Sequence, residues 1–360
     1  ESEPPAFRIT VYDGAMKTPA WFKEGIVYQI FPDRFNRGAS SGGLDRAVYH
    51  KQLGRQVYLH EDWAEQPLYT ALPGCEDYAP SDFFGGDLRG ITQKLPYLQS
   101  LGVTCLYLNP IFESPSNHRY DTSDYKKIDP ILGDSEALCE LVESAGRHGI
   151  RLMLDGVFSH TGDDSVYFNR YGRYKDTGAY QSKDAAAFAW YDFKNWPDDY
   201  RCWWNFKTLP EVNETEPSYM EFIEGVLMYW AKAGITSWRL DVADELPDDF
   251  LRFLYKKLHE LDPESVLLGE VWEDASNKFF MGHRRPYTDG FVLDSVMNYP
   301  FRTAVLDFLT GKTDAYGLNE SLQSLREAIP KPFYLSLLNL LGSHDTERAL
   351  SVLSGGISAG

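Results

Sequence analysis

Seven short apolar runs, each closed by turn residues, constrain this chain more than any other feature. They read GIVYQIFP (25–32), VTCLYLNP (103–110), RLMLDGVF (151–158), ITSWRLDVA (235–243), VLLGEVW (266–272), FVLDSVMNY (291–299) and YLSLLNLL (334–341). Near-continuous Val, Ile and Leu content marks strands covered on both faces, as in parallel sheets. Helical patterns lie between several of them. Residues 87–102 place Ile91, Leu95, Leu98 and Leu101 on one stripe and stop at Gly102. Residues 134–149 open on Asp134, a good N-cap, and stop at Gly149; residues 217–234 and 247–263 behave likewise. Helix ends at SLG, RHG and KAG each lead straight into a strand. Repeated β-α units predict a parallel α/β fold, and seven strands come close to a (β/α)8 TIM barrel.

Two stretches break the rhythm. Residues 33–84 show no clear periodicity and read as a long irregular loop region. Residues 161–215, rich in Tyr, Trp, Asp and Asn, read as an insertion after the third strand. Long insertions are functional or disordered, and this one is too aromatic for disorder. The expected division is therefore 1–20 as an N-terminal remnant, 21–160 and 216–360 as two parts of a barrel, and 161–215 as an inserted domain.

Composition removes some functions. The net charge of −18 over 360 residues, with no basic run, argues against a nucleic-acid partner. No apolar run approaches the roughly 18 residues of a membrane span. Cys75, Cys105, Cys139 and Cys202 have no metal-binding spacing. Cys105 and Cys139 read as buried thiols. Cysteine usage leaves the compartment open, with the cytoplasm favoured.

In a β/α barrel the active site forms at the C-terminal ends of the strands. Here the third strand ends in Asp155 and then His160, the fourth in Arg239 and Asp241, the fifth in Glu270, the seventh in His344 and Asp345. Any one of these has a plain reading as a cap or an ion pair. Four sets at matching positions point to one pocket. Two carboxyls facing one bond are what glycoside cleavage requires. Arg239 shares a strand face with Asp241 and favours its charged form. Glu270 has Val271 and Trp272 beside it, an apolar setting suited to a proton donor. The histidines suit sugar hydroxyls better than zinc, since no HExxH or short ligand pair accompanies them.

These strand ends resemble the motifs of the α-amylase family (glycoside hydrolase family 13). DGVFSH is similar to its first conserved region, WRLDVADE to the second, GEVW to the third and LLGSHD to the fourth. LPEVN (209–213) resembles the extra motif at the end of an inserted domain B. FFGGDLRGI and residues 114–133 add agreement. The likeness is greatest to the neopullulanase, cyclomaltodextrinase and maltogenic amylase group. Asp244-Glu245 stands where α-amylases of the plain endo-acting type carry Lys-His.

The resemblance implies a retaining hydrolase of α-1,4-glucosidic bonds, with or without α-1,6 activity. Its substrates would be malto-oligosaccharides, cyclodextrins, pullulan or starch, and transglycosylation would accompany hydrolysis. An α-1,6 debranching enzyme and a catalytically silent carbohydrate-binding relative are the alternatives. By motif, Asp241 is the nucleophile, Glu270 the acid/base and Asp345 the transition-state stabiliser. Arg239, His160 and His344 contact the sugar at subsite −1, Tyr120 stacks on it, and Asp121 and Arg348 border it. Trp272 is an aromatic wall on the leaving-group side, or core packing. No cofactor is implied. Ser159 replaces a usual Asn calcium ligand, and only Asn36 and Asp87 remain of that set, so a structural calcium is not expected. Asp244 replaces the Asn usual in this group and adds charge on the acceptor side. FRITVY (7–12) would be the last strand of an N-terminal β-sandwich. The eighth strand and a C-terminal β-domain would lie outside this sequence.

Overall fold

The computed structural model describes residues 9–38, 43–72, 74–75, 78–280 and 282–355, leaving aside the side chains of 43–46. The chain divides into two compact units. One runs from Ile26 to Asp241; the other combines the segment up to Gly25 with the chain from Val242 onward.

All seven apolar runs contain a strand. In the first unit these are β1 (Val27–Ile30), β2 (Cys105–Leu108), β3 (Arg151–Gly156) and β4 (Ser237–Leu240). They pair in parallel in chain order, with Val27 opposite Cys105, Cys105 opposite Arg151 and Ser237 opposite Met153. The helices between them are α1 (Leu88–Ser100), α2 (Ser135–Arg147) and α3 (Pro217–Lys232). The second unit holds β5 (Leu267–Gly269), β6 (Ser295–Asn298) and β7 (Leu338–Asn339), again parallel neighbours in chain order. Its helices include α4 (Asp248–Leu261), α5 (Tyr299–Leu309) and α6 (Ala315–Ala328).

Local chemistry sets these boundaries. The Asp87 carboxylate caps α1 by accepting Gly90 N–H at 2.6 Å, and Asp134 caps α2 through Ala137 N–H at 2.8 Å. Gly102 and Gly149 lie at φ 80° and 69°, the left-handed turn that lets each helix drop straight into the next strand. Ile91, Leu95 and Leu98 of α1 are buried as predicted, with Leu88. Leu101 is exposed, because α1 stops at Ser100 and Leu101 leaves the stripe as its C-cap.

Three further expectations change. Cys105 is fully buried as expected, and burial pushes its thiol up to about 12. Cys139 is exposed instead, since α2 buries Ala137, Leu138, Leu141 and Ala145. The 33–84 region holds a helix, Gly43–Gln52. An apolar stripe does not announce it, because polar contacts hold its end. His50 is buried, 3.3 Å from Asp129 and 3.1 Å from the Arg55 guanidinium, and Arg55 bonds Asp164 at 2.7 Å. Of FRITVY, residues 9–12 form no strand and 7–8 lie outside the described residues.

The 161–215 stretch builds its own small structure. It has a two-stranded antiparallel sheet, Phe193–Asn195 with Asp199–Tyr200, and an aromatic core in which Phe168 meets Tyr191 and Tyr200 at 4.9 and 4.8 Å. Among the described residues no helix is long and apolar enough to cross a membrane.

Candidate active site

In the first unit the ends of β2, β3 and β4 bring one set of groups together. The register places Asp155 opposite Arg239. One guanidinium nitrogen of Arg239 bonds Asp155 Oδ1 at 2.8 Å and Asp241 Oδ1 at 2.9 Å. Arg239 and Asp155 are fully buried, and Asp241 is nearly so. Alternation along β4 thus produces the shared face expected of Arg239 and Asp241. Asp241 N–H also donates to Gly156 O at 3.2 Å, extending the β3–β4 pairing as far as the carboxylate.

Asp155, noted in the sequence only as a strand-end acid without a role, is a hub. Its Oδ2 accepts the Tyr107 hydroxyl at 2.5 Å and the Tyr120 hydroxyl at 2.8 Å. Burial holds both phenols well above their ordinary value, so they remain donors. Tyr107 reads in the sequence as one more apolar residue of β2. Its role emerges only from the register, where it lies opposite Met153, two residues before Asp155.

The Tyr120 segment is fixed from several sides. Asp121 Oδ1 accepts the hydroxyls of Ser114, at 2.5 Å, and Ser116. His160 Nε2 lies 3.1 Å from Tyr120 O, which can only accept, so Nε2 carries the hydrogen and Nδ1 accepts from Ser159 Oγ at 2.9 Å. Burial pushes His160 down to about 4 and keeps it neutral. Its donor is therefore engaged with the Tyr120 backbone rather than presented freely to a sugar. The loop itself is pinned by Tyr125 Oη to Val157 O and His160 O, and by Tyr219 Oη to Phe158 O.

Each residue named for calcium has a hydrogen-bond partner. Ser159 donates to His160, Asn36 donates to Gly90 O at 3.0 Å, and Asp87 caps α1. No group of three or more His, Cys, Asp or Glu among the described residues could hold an ion.

In the second unit, Glu270 follows β5. Its Oε2 accepts Val242 N–H at 2.8 Å and its Oε1 accepts the Trp272 indole N–H at 3.2 Å. The neighbours of Glu270 thus include two hydrogen-bond donors as well as apolar side chains. Val242 sits at φ 41°, ψ 49°. That conformation is a genuine outlier for a β-branched residue and marks a strained turn directly after Asp241. Trp272 is 44% exposed, which removes the core-packing reading, and it stacks on Tyr299 at 4.1 Å and 5°. His344 and Asp345 touch each other, Nε2 to Oδ2, at 3.2 Å. Ser343 Oγ accepts Asp345 N–H and meets Tyr299 Oη at 3.1 Å. Arg348 lies exposed at the start of the short helix Ala349–Leu353.

Asp244 faces its own unit. Its carboxylate accepts Tyr287 Oη at 2.7 Å and pairs with Lys278 at 3.0 Å, and Arg285 bonds its carbonyl at 2.7 Å. The added charge has a cation beside it, which the motif alone could not reveal.

The sequence profile of the alpha-amylase catalytic domain matches residues 29–358. The chain belongs to the alpha-amylase family. Its fold class is the (β/α)8 barrel of that family. An amylopullulanase from Thermoanaerobacter thermohydrosulfuricus is 41% identical over 98% of this chain and 26% of its own length. Neopullulanase 2 from Thermoactinomyces vulgaris is 36% identical over 94% of this chain and 53% of its own. Among solved structures, the cyclic alpha-maltosyl-(1→6)-maltose hydrolase from Arthrobacter globiformis superposes with a TM-score of 0.79 at 31% identity, covering 94% of this chain and 69% of that one. The chain thus spans between a quarter and about half of the length of these two sequence relatives. A neopullulanase, cyclomaltodextrinases and a maltogenic amylase all occur among its relatives, as the motifs imply.

Proposed function

We propose that this chain is a retaining glycoside hydrolase acting on α-glucosidic bonds of malto-oligosaccharides, cyclodextrins, pullulan or starch. The Asp241 carboxylate attacks the anomeric carbon while Glu270 protonates the departing glycosidic oxygen. The resulting glycosyl ester on Asp241 is then cleaved by water, from which Glu270 removes the proton. A sugar hydroxyl in place of that water gives transglycosylation.

The observation that carries this reading is the Arg239 guanidinium bonded at 2.9 Å to Asp241 at the end of a parallel strand. It gives the nucleophile a fixed cationic partner that holds its carboxylate in place. The two N–H donors on Glu270 suit the acid/base role in its second state. Once the proton has left, they stabilise the carboxylate that must accept the next one. Asp345, with His344 at its side, stabilises the oxocarbenium-like transition state. Tyr120 stacks on the sugar, and His160 holds Tyr120 in place. Asp121 and Arg348 border the ring, and Trp272 walls the leaving-group side.

Both α-1,4 and α-1,6 cleavage suit the relatives' names. Digestion of pullulan, starch and β-cyclodextrin side by side separates the readings. Panose from pullulan selects the neopullulanase type, maltotriose selects debranching, and no product from any substrate refutes the proposal.

A further inference from the structure

The inserted domain carries a hairpin whose tip is Trp203, Trp204, Asn205 and Phe206. Its base is fixed: Cys202 bridges Pro210, Trp203 N–H donates to Leu209 O at 2.9 Å, and Glu211 bridges His160. The tip is therefore anchored beside the loop that holds Tyr120.

The rings gather around Trp203. Trp203 lies 5.7 Å from the His160 imidazole at 31°, and Trp204 stacks on Trp203 at 5.0 Å and 15°. Phe206 approaches Trp203 at 6.2 Å and 25°. The cluster reaches from a buried histidine to solvent, with Trp204 70% and Phe206 55% exposed. Burial of large aromatic surface is favourable, yet the chain holds this indole in water. It does so on an unfavourable backbone: Trp204 lies at φ 47°, ψ 33° and Asn205 at φ 64°. Left-handed backbone at a bulky residue persists only where the surroundings impose it, and such strain clusters at ligand sites. The aromatic core of the insertion, around Phe168, is a separate cluster and does not need Trp204.

We propose that Trp204, braced by Trp203, is an outer binding platform for an α-linked glucan chain, beyond the ring held at Tyr120. This rests on the glucan-hydrolase reading above. The occupant follows from continuity with His160 and from chemistry. Glucopyranose rings present flat C–H faces that match an indole face. The acidic chain, at −18, disfavours anionic ligands.

The test uses the whole protein carrying Asp241→Asn, so that ligand is not consumed. Calorimetry compares maltotriose with maltoheptaose, with and without Trp204→Ala. The expected result is about tenfold weaker maltoheptaose binding, the scale of one lost aromatic stack. Maltotriose should change less than about twofold, and Trp204→Phe should restore most of the loss. Equal loss for both ligands would mark a merely structural role and overturn the proposal, as would unchanged maltoheptaose binding. Turnover by Asp241→Asn is scored separately. Retained hydrolysis there refutes the catalytic reading and not the platform.

Discussion

Asp155→Asn is the most revealing single substitution in the first unit. The change is nearly isosteric and removes one charge. In the native protein Asp155 Oδ1 takes Arg239 at 2.8 Å, while Oδ2 takes Tyr107 and Tyr120. An asparagine can keep its oxygen on the two phenols, but its NH2 then faces the guanidinium, donor against donor. A charge-assisted hydrogen bond lost at a buried site costs about 1.5–3 kcal/mol. Breaking a buried ion pair from one side costs about 3–5 kcal/mol. Asp241 still bonds Arg239, at 2.9 Å, so the lower end applies. The expected loss is about 3 kcal/mol, read as a lower denaturant midpoint by circular dichroism and tryptophan fluorescence together. Activity should fall further than stability. Arg239 would rest on Asp241 with its counterweight gone, and the Tyr120 hydroxyl would share a neutral acceptor. Misplacement of such groups by about 1 Å costs roughly 100-fold in rate. A variant within about 0.5 kcal/mol of the parent, the range of a plain surface change, and with parental turnover would refute the hub.

Two further outcomes follow from the same geometry. His160 titrates at about 4 when folded, below its ordinary 6.5, because it is buried. The unfolded chain therefore binds more protons between these values, and the stability His160 provides is present above pH 6.5 and lost as pH falls toward 4. The stability gap between the parent and His160→Gln should shrink by about 3 kcal/mol from pH 7 to pH 4; a pH-independent gap in chemical denaturation refutes this. Gly90→Ala, normally stabilising by about 1 kcal/mol within a helix, should reverse sign. Its Cβ would lie 1.9 Å from Asn36 O. A raised melting temperature would show that this contact relaxes freely.

What the sequence revealed and what it hid have a common cause. The seven strands and the cap Asp134 are legible because apolar periodicity and capping are local. The pairing of Arg239 with Asp241 is legible too, since it needs only alternation along one strand. Tyr107 and Asp155 meet through the register between strands, which no local pattern encodes. The helix Gly43–Gln52 is hidden because buried ionic contacts around His50 and Arg55 hold it. Trp203 and Trp204 show in the sequence as aromatic richness alone. Their arrangement depends on two left-handed residues that propensity does not anticipate.

The central claim is a double displacement through Asp241. Proton NMR of the first sugar released from maltotriose or β-cyclodextrin tests it most directly. The account predicts that the α-anomer appears first and mutarotates afterwards to the mixture. A β-anomer as the initial product would mean a single displacement by water and would contradict it.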